Sequence, residues 1–293
     1  MISLFLISNL VSASVNLQPK LLRDWTQELQ NSEPCKTPFL VTYAAKGKTL
    51  YFIAANHGEG PLESSRTFRI IEDTFKKHSP TILVVEKLYN SMGVSPKDRS
   101  DEAFSCEKDK FRKCTEIQFA IYQAVTRKVP FIGGEPDDSI FLEELTGKYS
   151  AEDLVGFTSY VNLIRWKRRN ETDFEKKWQT EKTTEEMQRK FKFEMTYSSF
   201  KRWFELKLGK PLTIENIDSY DIAPIKSSKN FLQNIAYDKD PIRERKIIGT
   251  IETALNKYDS VLVVYGAGHH VKQSPVFTEA LAKPKYECYK DLP

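Results

Sequence analysis

The run DPIRERKIIGTIETALNKYDSVLVVYGAGHH, residues 240–270, carries the pattern of an α/β unit. From Asp240 to Lys257 it places Ile247, Ile248, Ile251 and Leu255 on one stripe, the spacing of a helix with a single apolar face. Ser260–Tyr265, SVLVVY, is then a short apolar and β-branched run, the pattern of a strand buried on both faces. A helix that feeds a doubly buried strand is half of a β-α-β unit, and such units build parallel sheets.

The same alternation recurs at the other end of the chain. Phe39–Tyr43 and Thr49–Ala55 are β-rich runs separated by AAKGK, which predicts a hairpin-like turn. Leu62 to Lys77 carries Phe68, Ile71 and Phe75 at helical spacing, and Thr81–Glu86 (TILVVE) is another doubly buried strand. A helix follows over Glu116 to Lys128, then a short apolar run at Val129–Gly133. A short amphipathic helix is expected over Leu21 to Leu29. The fold class that follows is α/β: a mostly parallel sheet with flanking helices, its first half over residues 14–150 and its second over 236–293. Between them, residues 151–235 have few β-branched runs and are rich in Lys, Glu, Trp and Phe up to about Leu208, which predicts a helical insertion capping one edge of the sheet. Trp166, Trp178 and Trp203 are expected in its packing, and the basic run RWKRRN (Arg165–Asn170) on a solvated face because acidic residues follow it at once.

Composition narrows the function classes. The chain has 293 residues, 44 Lys and Arg against 40 Asp and Glu, and a net charge of +4, too little to argue for nucleic acid. No internal apolar run reaches membrane-spanning length, so the mature chain is expected to have no integral span. The opening MISLFLISNLVSASVN reads as a secretory signal ending near residue 13, without the usual basic start, and points to a secreted or periplasmic protein. Four cysteines, with no CxxC, suit an oxidising compartment. They allow three pairings. The pairing favoured is Cys106–Cys114, closing the loop CEKDKFRKC, with Cys35–Cys288 joining the chain ends. Oligomeric state is not legible in the sequence.

Polar residues cluster where strands end. His57 follows the strand Thr49–Ala55, Glu86 closes Thr81–Glu86, Glu135 follows Val129–Gly133, and His269 follows Ser260–Tyr265. Parallel strands share their carboxyl edge, and ligands bind outside it. Arg243, placed in the first turn of the helix expected from Asp240, reaches that edge because crossover helices begin there. Three of the four histidines, His57, His269 and His270, fall in two such loops. His270 is assigned a structural part, since adjacent residues rarely face one site. Glu59 and Glu63 are read as favouring a helix start, and Asp137 and Asp138 as helix caps. GAGHH is not a dinucleotide loop, and neither a Walker A motif nor a GxSxG elbow is present.

At these residues the chain resembles the superfamily that unites TraB/TIKI-type proteins, erythromycin esterase-like enzymes and ChaN-like haem-binding lipoproteins. The second GxxH-like motif is GAGH, Gly266–His269; the first is AANH, Ala54–His57, with Ala in place of Gly. HGEGP after it and IGGEPDD around Glu135 are similar to the esterase-like branch, and IRERKII matches the late arginine segment at Arg243 and Glu244. The likeness spans about residues 39–138 and 240–282.

The resemblance implies a hydrolase of an ester, amide or peptide bond, acting on a small-molecule or peptide substrate. His57 is then the general base, Glu86 or Glu135 orients it or the attacking water, Arg243 stabilises the oxyanion, and His269 donates a hydrogen bond or a proton. In a metal-assisted version His57, Glu86 and His269 hold one divalent transition metal, Zn, Mn, Co or Fe. The alternative is a ChaN-like protein that binds haem or another ligand without catalysis.

Overall fold

A computed structural model of the chain describes residues 14–56, 64–86, 96–108, 110–112, 114–135, 143–180, 182–226 and 230–289. The expected signal segment lies outside them. The chain divides into two compact units: Met1–Glu135 with Arg245–Pro293, and Pro136–Glu244.

The first unit is built on six strands, β1 (Phe39–Ala45), β2 (Lys48–Ala55), β3 (Ile82–Val85), β4 (Phe131–Gly133), β5 (Ser260–Gly266) and β6 (Lys285–Cys288), in the order β4-β3-β5-β2-β1-β6. The pairs β3–β4, β3–β5 and β2–β5 are parallel, whereas β1 runs antiparallel to both β2 and β6. Four parallel strands therefore end on one edge, as the sequence predicts. The β1–β2 turn is Lys46-Gly47, with φ of 53° and 75°. Two consecutive positive φ values make the tight two-residue connection whose twist matches that of the strands.

Alternation along the strands separates two cores. Phe52, Val84, Val261, Val263 and Tyr265 face one layer with Ile247, Ile248, Ile251 and Leu255, the stripe read from the sequence, and with Phe277. Ile53, Leu83, Leu262 and Val264 face the other layer with Ile70, Ile71, Ala120 and Ala124. The second layer comes from α2 (Ser64–His78), α3 (Pro96–Lys108) and α4 (Glu116–Thr126). Each large apolar side chain buried in this way contributes about 1.5–3 kcal/mol through loss of apolar surface to water.

The helix expected over Leu21 to Leu29 does not form. A single 3-10 turn at Pro19–Leu21 is followed by α1 at Gln27–Asn31. Thr26 is extended, with φ −135° and ψ 156°, and its hydroxyl caps the N–H of Leu29, so the helix starts only after it. The stretch before it is tied down by tertiary bonds: the Val15 N–H donates to Asn256 at 2.8 Å, and Arg23 Nε donates to the Val271 carbonyl at 2.6 Å.

Both expected disulfides are present, Cys35–Cys288 and Cys106–Cys114. The first ties the segment before β1 to the edge strand β6, where Cys288 pairs with Phe39 across the ladder.

The described part of the second unit is helical: α5 (Ala151–Arg168), α6 (Phe174–Thr180), α7 (Lys182–Phe191), α8 (Tyr197–Leu208), a 3-10 turn at Ser219–Ile222, and the first part of α9 (Phe231–Lys257). Trp166, Trp178 and Trp203 are buried in its core, as their composition context predicts. Trp178 stacks on Phe200 at 4.9 Å, and Trp203 Nε1 donates to Asp153 at 3.0 Å. Arg165, Arg168 and Arg169 are exposed, as a solvated face requires.

α9 begins earlier than Asp240. Phe231, Leu232, Ile235 and Ala236 already sit at helical spacing and pack in the core of the second unit. Pro241 resembles a helix start in sequence, but it lies inside the helix, where it supplies no N–H to the preceding turn. Arg243 is therefore in the helix interior and not in its first turn.

Candidate functional site

The parallel register sets what gathers at the carboxyl edge. Val85 pairs with Gly133 on one side and with Val264 on the other. Glu86 is the next residue on β3, Glu135 lies two beyond Gly133, and Gly266 lies two beyond Val264. β5 passes into α10 (Ala267–Ala280) without a loop, so His269 falls in the first turn of that helix. GAGH is thus a strand-to-helix junction, and a helix start in this position presents unpaired N–H groups to whatever lies at the edge.

The Glu86 carboxylate divides its two oxygens. Oε2 accepts the Gly266 N–H at 3.1 Å, at the positive end of α10, and Oε1 stands 3.9 Å from His269 Nε2. Glu86, Glu135 and His269 are all buried, and each offers one ligand atom within 4.8 Å of the others. Two carboxylates and an imidazole gathered in one buried place form a donor set that could hold a divalent cation. Around a tetrahedral ion with bonds near about 2.0–2.2 Å, ligand atoms sit somewhat over about 3 Å apart. The 3.9 Å between Glu86 and His269 is within a small side-chain adjustment of that spacing.

Of the expected site residues, the structure brings together Glu86, Glu135 and His269, all in the first unit. His57 lies outside the described residues, as do Glu59, Glu63, Asp137 and Asp138. Arg243 belongs to the second unit. Of the expected metal ligands, Glu86 and His269 are in the group, and Glu135 is its third member among the described residues.

Tyr265 is not among the residues expected at the site. This fully buried ring lies edge-on to His269 with centroids 5.1 Å apart. A Cβ on Gly134 would lie 2.1 Å from the Tyr265 hydroxyl and 3.0 Å from Val84 Cγ1, so only glycine fits beside Glu135. The double glycine of IGGEP, ahead of a strand-end acid, is the signal that marks this close approach.

His270 faces away from this group, as its adjacency to His269 predicts. Its Nε2 lies 2.8 Å from the Tyr43 hydroxyl and its Nδ1 3.4 Å from Glu33 Oε1. Tyr286 donates to the other Glu33 oxygen at 3.0 Å. Burial alone would push the Glu33 carboxyl up, but His270, Tyr286 and Arg23 together outweigh it and hold it below the usual glutamate value. Burial pushes the Tyr43 hydroxyl strongly up, so it stays protonated.

No protein-family model matches the chain, and no curated protein matches it either.

Proposed function

We propose that the chain is an exported metal-assisted hydrolase of ester, amide or peptide bonds, with Glu86, Glu135 and His269 as the protein ligands of one divalent cation. The observation that carries the reading is the buried acid–acid–imidazole group at the carboxyl edge of the sheet. Two carboxylate oxygens and one imidazole nitrogen suit Zn, Mn, Co or Fe as a bare ion and are a poor set for an axial ligand of haem. When bound, such a cation polarises a carbonyl and lowers the pKa of water.

The chain's own residues set up the rest. Gly266 holds Glu86 in place through its N–H, which leaves the other carboxylate oxygen toward His269. The first turn of α10 adds a positive dipole end that favours negative charge developing beside it. The family resemblance supports a general-base part for His57. Export is supported by the two disulfides and the apolar N-terminal run. Among the described residues no helix is long and apolar enough to cross a membrane.

The test is turnover of a panel of esters, amides and peptides by the full chain, first stripped with a chelator and then resupplied with Zn, Mn, Co or Fe. Metal-dependent turnover that is lost in both His269→Ala and Glu135→Gln is the expected result. Turnover indifferent to chelation and to both substitutions contradicts the metal-assisted reading.

A further inference from the structure

A second place in the first unit carries a chemistry of its own. A cavity of about 780 Å³ lies against the Cys35–Cys288 bridge, walled by the segment before β1, by Arg66 on α2 and by Tyr289 after β6. None of the acid–imidazole group lines it. Its size is that of a small-molecule site.

Its wall carries two cations and two side-chain amides. Lys36 and Arg66 are exposed cations, and neither forms an ion pair among the described residues. Gln30 accepts the Trp25 indole N–H at 2.9 Å through its carbonyl oxygen, which leaves its NH2 to donate. Asn31 likewise accepts from Gln27 at 3.0 Å, and its NH2 remains. The one acid on the wall, Glu33, has a side chain only 6% exposed, and its oxygens face inward to His270 and Tyr286. Two cations and two amide donors with no outward carboxylate make a complement to an anion. Pro34, Pro38 and the Tyr289 ring supply apolar wall for the rest of a ligand too large to be a bare ion. The disulfide joins two of the walls covalently, so the site is preorganised.

We infer that this cavity binds a phosphate monoester on a compact ring, the dianion facing Lys36 and Arg66 and the ring lying toward Tyr289. The probe is phenyl phosphate, titrated calorimetrically into the full chain at constant ionic strength. One-site saturable binding is expected, with inorganic phosphate as a weaker competitor. The double substitution Lys36→Gln/Arg66→Gln, at two exposed positions that leave the core untouched, weakens binding by about tenfold or more, the loss expected for a charge-assisted contact. Lys201→Gln, a change on a half-buried lysine of the second unit, leaves it unchanged. Absence of saturation overturns the inference. So does equal affinity in the Lys36/Arg66 variant, or equal weakening by Lys201→Gln.

Discussion

Glu86 and His269 come from segments 183 positions apart and meet with Oε1 and Nε2 at 3.9 Å, each buried. The meeting follows from backbone register, since β3 and β5 pair in parallel and Glu86 and the GAGH junction both lie just past the paired residues. Glu86→Gln keeps the shape and removes the charge. Zn or Mn affinity, read by calorimetry, is expected to fall by about 100-fold or more, beyond what loss of an outer partner costs. Unchanged affinity would take Glu86 out of the ligand set.

The contact between Gly134 and Tyr265 makes a second prediction. Gly134→Ala puts a methyl 2.1 Å from the Tyr265 hydroxyl, and overpacking of this kind costs about 1–3 kcal/mol. Adding Tyr265→Phe removes the nearest atom and is expected to restore part of the loss. A urea-denaturation cycle over the two single changes and the pair measures the coupling, and strict additivity would contradict the contact.

Glu33 gives stability a pH dependence of defined sign. Its carboxyl is held below the usual glutamate value in the folded chain. Its contribution is therefore fully present above that usual value and is lost as pH falls through the lowered one. Glu33→Gln is expected to lower stability at neutral pH and to narrow the gap to the wild type on acidification. Parallel pH–stability curves for the two proteins would show that Glu33 has no such part.

The two disulfides are expected to differ in weight. Cys35–Cys288 closes a loop with a sequence separation of 253, against 8 for Cys106–Cys114. Loop-closure entropy makes the long bridge worth about 5 kcal/mol and the short one about 2.5 kcal/mol. Paired Cys→Ser variants compared by chemical denaturation check the order; a larger loss at Cys106–Cys114 would reverse it.

Much of this was legible in the sequence because parallel α/β sheets write themselves as β-branched runs alternating with single-striped helices. The strand ends at Glu86, Glu135 and His269 were visible for that reason, and the packing of the Trp residues of the second unit followed from its composition. Three features were not legible. Pro241 looks like a helix start, and only the tertiary burial of Leu232 and Ile235 draws α9 back past it. The periodicity at Leu21 and Leu22 is that of a helix, yet Arg23 is bonded to the carbonyls of Val271 and Lys272, contacts no local pattern encodes. Tyr265 reads as an ordinary strand residue until the backbone at Gly134 is seen to pass under its hydroxyl.

The proposed cation site consists of Glu86, Glu135 and His269. Crystals grown with Mn or Zn and measured at the metal's absorption edge test it most directly. A single anomalous peak within about 2.0–2.3 Å of an oxygen of each glutamate and of a ring nitrogen of His269 is the predicted result. A fully metallated crystal whose peaks all lie away from these three side chains would contradict it.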